Sequence, residues 1–487
     1  MANILDYIYW RGDLSFEERS FNEVDNLIFS ELAYLKMDGI LTNIGDIRTA
    51  EQAQPLLEEP GLNTETIQAA EAVQAAEMIR ATEAIQGTET VQDKVDVQAA
   101  EAVQDTEAVR DAEQVQAADA GYELMAVQDM DAVQDAERDI LTVADIVSRY
   151  EKLGYRQSEL PNDPKDAALA MAKAPRYKDL LVSDYINIID DEKEIQFAAM
   201  TIHAPEFLYI AFRGTDNTIV GWREDFNFSY QRETPAQGQA VTYMNYILQK
   251  YRAGIYLADR YRGPQQSDKT VSPAWMPEVY AGGHSKGGNL AIYAAAFCDP
   301  ALQPLLTSVY SFDGPGFNRY VTQTGAYQAI LPKVTLTIPE SSLIGILMSN
   351  ADAKKIVKCS AEGSNQHNPY TWLIERDRFE EAKARSESSV FLDGTINKWL
   401  DRLDDKTKEG FVNTVFDVID ATGAGTFAGI MEHKWESYNA ILNAVRALPT
   451  EDQKLVLRAV KELAVISGDA LWNEAKKTFE ENQRNRQ

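Results

Sequence analysis

The stretch YAGGHSKGGNLAIY, residues 280–293, packs four glycines around Ser285. Glycine serves where a backbone turns too sharply for a side chain. Ahead of the serine, PEVYAGG reads as a short apolar strand; behind it, NLAIYAAAF reads as a helix. Gly283-His284-Ser285-Lys286-Gly287 therefore fits G-x-S-x-G at a strand-to-helix junction, where a serine can be held in a strained turn with its hydroxyl outward. The functional reading is a nucleophile. The plain one is a turn serine.

Working outward, YINIID (185–190), IQFAAMTIH (195–203) and FLYIAF (207–212) read as strands separated by short polar turns. Residues 236–251 have helical periodicity, and LTSVYSF, KVTLTIP and KIVKCSA read as further strands. Alternation of strand and helix over 206–360 predicts a mostly parallel sheet covered by helices. Upstream, FNEVDNLIFSELAYL (21–35) offers Asn22 as an N-cap for a helix whose apolar face is Val24, Leu27, Ile28, Leu32 and Leu35. Beyond about residue 390 the pattern is helical, with Leu455, Ala459, Val460 and Leu463 on one face.

Between these parts lies an unusual segment. Isoleucine or valine recurs every six residues from Ile67 to Val133, interrupted at Gly121, in a unit close to A-A-E-A-V-Q. Six residues turn an α-helix by about 600°, so the valines spread over three stripes and form no seam. Alanine, glutamate and glutamine disfavour strand. The segment reads as a polar insert, helical or disordered, expanded from a tolerated surface loop. Residues 51–139 carry 22 acidic and 4 basic residues, hence −18 of the net −29. That charge argues against nucleic acid or an anionic bilayer as partner. Two cysteines, Cys298 and Cys359, argue against a disulfide framework and point to a reducing, cytoplasmic home. The first residues show no signal peptide pattern, and no apolar stretch approaches the ~18–20 residues of a membrane helix.

A serine needs a base. Of four histidines, His284 should point away from the turn tip, His203 ends a strand and His433 falls among C-terminal helices. His367, in the polar loop SNQHNPYTW after the last strand, fits the order nucleophile, acid, histidine found in α/β-hydrolases. The acid has two candidates at strand ends: Asp313 in DGPGF, favoured, and Glu340 in TIPESS. Oxyanion donors would be the backbone N–H groups of Thr215, after the strand ending FRGT, and of Lys286. The Lys286 side chain is expected at the surface or rim.

Phe212-Arg213-Gly214-Thr215 with Trp222 and Asp225, together with GGHSKGG, resembles the class 3 (fungal-type) lipase signature. More closely, the chain outside the insert resembles the Mbeg-like family of uncharacterised bacterial α/β-hydrolase proteins. The shared stretches are YIYWRGDLSFEERSFNEVDNLIFSELAYL, RYKDLLVSDYINIID, FRGTDNTIVGWREDF, GGHSKGGNLA, FDGPGF and NQHNPYTW. Class 3 lipases place an aspartate where this chain has Glu340, whereas FDGP resembles pancreatic-type lipases, whose acid follows the earlier strand; the acid therefore stays open between Asp313 and Glu340. The resemblance implies an α/β-hydrolase fold and a serine hydrolase acting on a lipid or other acyl ester, with no metal or cofactor. The expected organisation is an N-terminal helical segment (1–48) packing on the core, the acidic insert (49–139), an α/β-hydrolase core (140–389) and a C-terminal helical region (390–487) that could cap the site. The alternative is a catalytically inactive hydrolase-fold scaffold whose acidic insert meets a protein partner.

Overall fold

A computed structural model describes residues 2–44, 140–154, 164–216, 219–253, 277–348, 355–387 and 404–420, with a few single positions besides. The chain divides into one unit from 1–46 and 139–487 and another from 47–138. The hexad insert lies outside the described residues, as does most of the C-terminal helical region, so the expectations for both fall there.

The described part is built on one eight-stranded sheet. In chain order it comprises β1 (Leu141–Thr142), β2 (Leu181–Asp190), β3 (Ile195–His203), β4 (Phe207–Phe212), β5 (Glu278–His284), β6 (Leu306–Phe312), β7 (Val334–Pro339) and β8 (Lys355–Val357). Spatial order follows chain order. β1 to β4 pair antiparallel, and β4 to β8 pair parallel. β3 and β4 are buried at every position, which explains their unbroken apolar runs: a strand covered on both faces has no reason to alternate.

Helices supply those covers. On one face lie α1 (Ile4–Arg11), α2 (Glu23–Leu32), α3 (Val143–Leu153) and α4 (Pro164–Met171). The chain then runs through α5 (Ile219–Asn227), α6 (Pro235–Arg252) and α7 (Lys286–Phe297), and between β6 and β7 through α8 (Arg319–Thr322) and α9 (Gly325–Ile330). α6, α7 and α9 fill the other face. Together with the sheet they make an α/β fold with two apolar cores. No described helix is long and apolar enough to cross a membrane.

The N-terminal helices are fastened tightly. Asn22 caps α2 in a capping box with Asp25, as its sequence predicts. The Asp25 carboxylate takes a fork from Arg176, at 2.9 and 2.6 Å, with both side chains fully buried. The same guanidinium donates to the carbonyls of Leu14, Ser15, Arg19 and Ser20. Phe21 stacks on Tyr280 of β5 at 4.8 Å. α2 thus lies along β5 and carries the residues after it to that strand's C-terminal end.

One C-terminal helix is described, α10 (Asp405–Asp420). It packs on α5, with Phe416 edge-on to Phe226 at 5.7 Å and Lys408 Nζ donating to Ser229 O.

Candidate active site

Ser285 joins β5 to α7 with φ 57° and ψ −132°. A non-glycine residue there carries strain of about 1–3 kcal/mol, sustained only where the surroundings dictate it. They do: Ser285 N–H donates to Phe312 O on β6, and Ser285 O accepts from Gly288 N–H. Gly283 and Gly287 let strand and helix cross at contact, since a Cβ on either would collide with the Phe212 carbonyl oxygen.

Asp313 follows β6, also at positive φ (49°), and is fully buried. Its Oδ1 accepts from Ser342 Oγ at 2.5 Å and from Gly345 N–H at 3.1 Å. Its Oδ2 lies 2.7 Å from His367 Nδ1, and His367 Nε2 lies 3.0 Å from Ser285 Oγ. A carboxylate only accepts, so Nδ1 carries hydrogen and Nε2 presents its lone pair to the serine hydroxyl. The His367 turn is anchored by its neighbour: the Gln366 carbonyl accepts from Trp372 Nε1 at 2.8 Å, and Gln366 Oε1 accepts from Ser341 N–H at 2.7 Å. Burial pushes His367 below the ordinary imidazole value, against the pull of Asp313. The three distant residues Ser285, His367 and Asp313 are thus brought into one hydrogen-bonded line. Glu340 is not part of it: no hydrogen bond or ion pair joins it to His367 among the described residues, and its N–H is used on Val357 O.

Thr215 follows Gly214, whose backbone packs against His284 and Gly287 on either side of the serine, and its hydroxyl donates to the Asp225 carboxylate on α5. Burial raises Asp225 to about 7, partly offset by Lys286 and Thr215, and its Oδ1 has no hydrogen-bond partner among the described residues. Lys286 corrects an expectation. Its side chain is not at the rim but fully buried, 2.5 Å from Glu224 Oε2 and donating to Gln196 O at 2.8 Å. The first residue of α7 faces β3 because the helix crosses so close to β4, and Glu224 supplies the countercharge. Glu224 is itself held by Gln196 N–H and Ala236 N–H.

Sequence reasoning missed Ser342, Glu224, Glu31 and Tyr34. His284 does avoid the serine, yet it meets the base turn: its Nε2 donates to His367 O at 2.9 Å. Its Nδ1 lies 3.3 Å from Glu31 Oε1, and Tyr34 donates to His284 O at 3.2 Å. The acidic FSELAYL segment signalled only a helix, and nothing local tied it to a motif some 250 residues away.

Among solved structures, the chain is similar to a propeptide complex of a deletion mutant of Rhizomucor miehei lipase, with 16% identity, 42% of this chain and 66% of that chain covered, and a TM-score of 0.26. It is also similar to M37 lipase, with 14% identity, coverage of 48% and 72%, and a TM-score of 0.27. The native Rhizomucor miehei complex gives 15%, 47%, 74% and 0.27 in the same order. No curated protein matches the chain. The Mbeg1-like family model matches residues 171–417, just over half of the 487, a span that takes in the FRGT turn, the serine motif and His367; the chain belongs to the Mbeg1-like family.

Proposed function

We propose that the protein is a serine hydrolase of the α/β-hydrolase fold that cleaves a lipid or other carboxylic ester through an acyl-enzyme. The observation that carries this reading is the continuous line from Ser285 Oγ through both His367 nitrogens to Asp313, at 3.0 and 2.7 Å, on a serine held at positive φ. His367 Nε2 takes the hydroxyl proton as Oγ bonds to the acyl carbon. The carbonyl oxygen becomes an oxyanion, which the N–H groups of Lys286 and Thr215 hold. As the tetrahedral centre collapses, the carbon–alkoxy bond breaks and Nε2 returns its proton to the leaving alcohol. Water then repeats the sequence and frees the acid. The four-part organisation with a catalytic core at 140–389, and a cytoplasmic location, belong to the same proposal.

A fluorophosphonate probe is expected to label the protein, and Ser285→Ala to abolish labelling; an unlabelled wild type, or persistent labelling of Ser285→Ala, overturns the reading. The base must be neutral to act, and burial lowers its titration. The acid limb of the labelling rate should therefore fall below the ordinary imidazole value of 6.5, with full reactivity retained at about pH 7. A limb centred above about 7, read from labelling rates between about pH 4 and 9, would contradict this.

A further inference from the structure

We propose that Glu31 and His284 form a second dyad behind the first, a positioning pair that braces the His367 turn and sets a fixed positive charge against the His367 ring. It rests on the reading of His367 as general base.

His284 Nε2 lies 2.9 Å from the His367 backbone carbonyl, which can only accept, so Nε2 carries hydrogen. The charge is then decided at Nδ1. Two oxygens face it: Glu31 Oε1 at 3.3 Å and Tyr34 Oη at 3.4 Å. The Tyr34 hydrogen is directed to His284 O, leaving a lone pair toward Nδ1. A bare Nδ1 would confront two acceptors, whereas a protonated one satisfies them. Glu31 Oε1 has no hydrogen-bond partner among the described residues and sits in a side chain only 5% exposed. A buried carboxylate in that state is costly unless a cation stands beside it. His284 is the cation at hand.

The groups facing His284 are Glu31 on α2, Tyr34 just after it, Asp313 at the end of β6, and His367 itself, with Arg213 and Asp225 acting on Tyr34. Burial alone pushes His284 down, but Glu31, Asp313 and the His367 carbonyl outweigh it, and the net direction is up. For His367 burial leads the downward push, and the charge on His284 adds to it.

The two rings lie 4.7 Å apart, tilted by 34°. A cation so close disfavours a second one. His367 is thereby kept in its proton-accepting form at lower pH. Once it has taken the serine proton, the same repulsion makes it a better donor to the leaving alcohol. Asp313 offsets the cost of that transient charge. The hydrogen bond to His367 O fixes the turn in register with the end of β5.

The test is an NMR titration of the full chain carrying histidine labelled at the ring carbon. Its four histidines are assigned through single His→Gln variants. In wild type, His284 is expected to remain charged through the range where His367 titrates. His284→Gln keeps an amide donor for the His367 carbonyl but cannot be charged, and should raise the His367 midpoint by about one unit. Glu31→Gln should lower the His284 midpoint. A neutral His284 ring at about pH 7, or an unmoved His367 midpoint in His284→Gln, overturns the proposal. If that variant does not fold, Glu31→Gln decides: an unmoved His284 midpoint overturns it equally. These readouts need no turnover. A failure of fluorophosphonate labelling therefore removes the hydrolase reading and leaves the dyad to be judged by its own titration.

Discussion

Asp313→Asn is expected to lower acyl-ester turnover by about 10⁴-fold with the fold intact. The size follows from what the amide must do in this site. The Oδ1 position receives two hydrogens, from Ser342 Oγ at 2.5 Å and Gly345 N–H at 3.1 Å. An asparagine placed there puts its oxygen where those donors point, which turns its NH₂ toward His367. That NH₂ donates, so Nδ1 must give up its hydrogen and Nε2 must carry it. The lone pair at 3.0 Å from Ser285 Oγ is then lost, and with it the proton acceptor. Steady-state turnover of a short chromogenic acyl ester, with circular dichroism to verify folding, checks this; a loss under about tenfold would remove Asp313 from the mechanism. Glu340→Gln, by contrast, should leave turnover within about threefold, since among the described residues its hydrogen bonds are made by its backbone and none joins its carboxylate to His367.

The second large effect concerns stability. Lys286→Met should cost about 3–5 kcal/mol, because it strands the Glu224 carboxylate in a dry site. Among the described residues Glu224 would retain the N–H groups of Gln196 and Ala236, at 3.0 and 2.7 Å, against a full buried charge. Adding Glu224→Gln should recover a substantial part of the loss, since a neutral amide can still accept from Ala236 N–H. Urea unfolding followed by tryptophan fluorescence reads both variants. A loss below about 1 kcal/mol in the single variant would mean that water or a neighbour reaches Glu224.

Much of the site is legible in the sequence, for physical reasons that differ residue by residue. The turn at Ser285 announces itself because close strand–helix crossing demands glycine, and Gly283 and Gly287 are local in sequence. The parallel half of the sheet is legible because each strand from β4 to β7 alternates with helix. β1, two residues long, carries no pattern of its own and exists only by pairing with β2. The acid could not be chosen because Asp313 and Glu340 both follow strands that end on the same side; what separates them is the loop holding Ser342 and Gly345, invisible without folding. Lys286 misled for a related reason. Charged side chains are usually solvated, and its partner lies 62 positions upstream, so only the fold reveals that the two meet.

The Arg176–Asp25 fork has a consequence for connectivity. Residues 2–44 and 140 onward belong to one body although nearly a hundred residues separate them along the chain. What retains the first two helices is therefore the guanidinium seated among four carbonyls and a carboxylate over the Phe16 ring, together with the separate Phe21–Tyr280 stack, and not the peptide link through the repeat. In engineering terms residues 2–44 and the body they pack on already share the buried interface that a split protein needs. A chain cut between residues 44 and 140 would leave a nicked pair able to stay associated, and the two parts made separately would have the same buried interface with which to find each other.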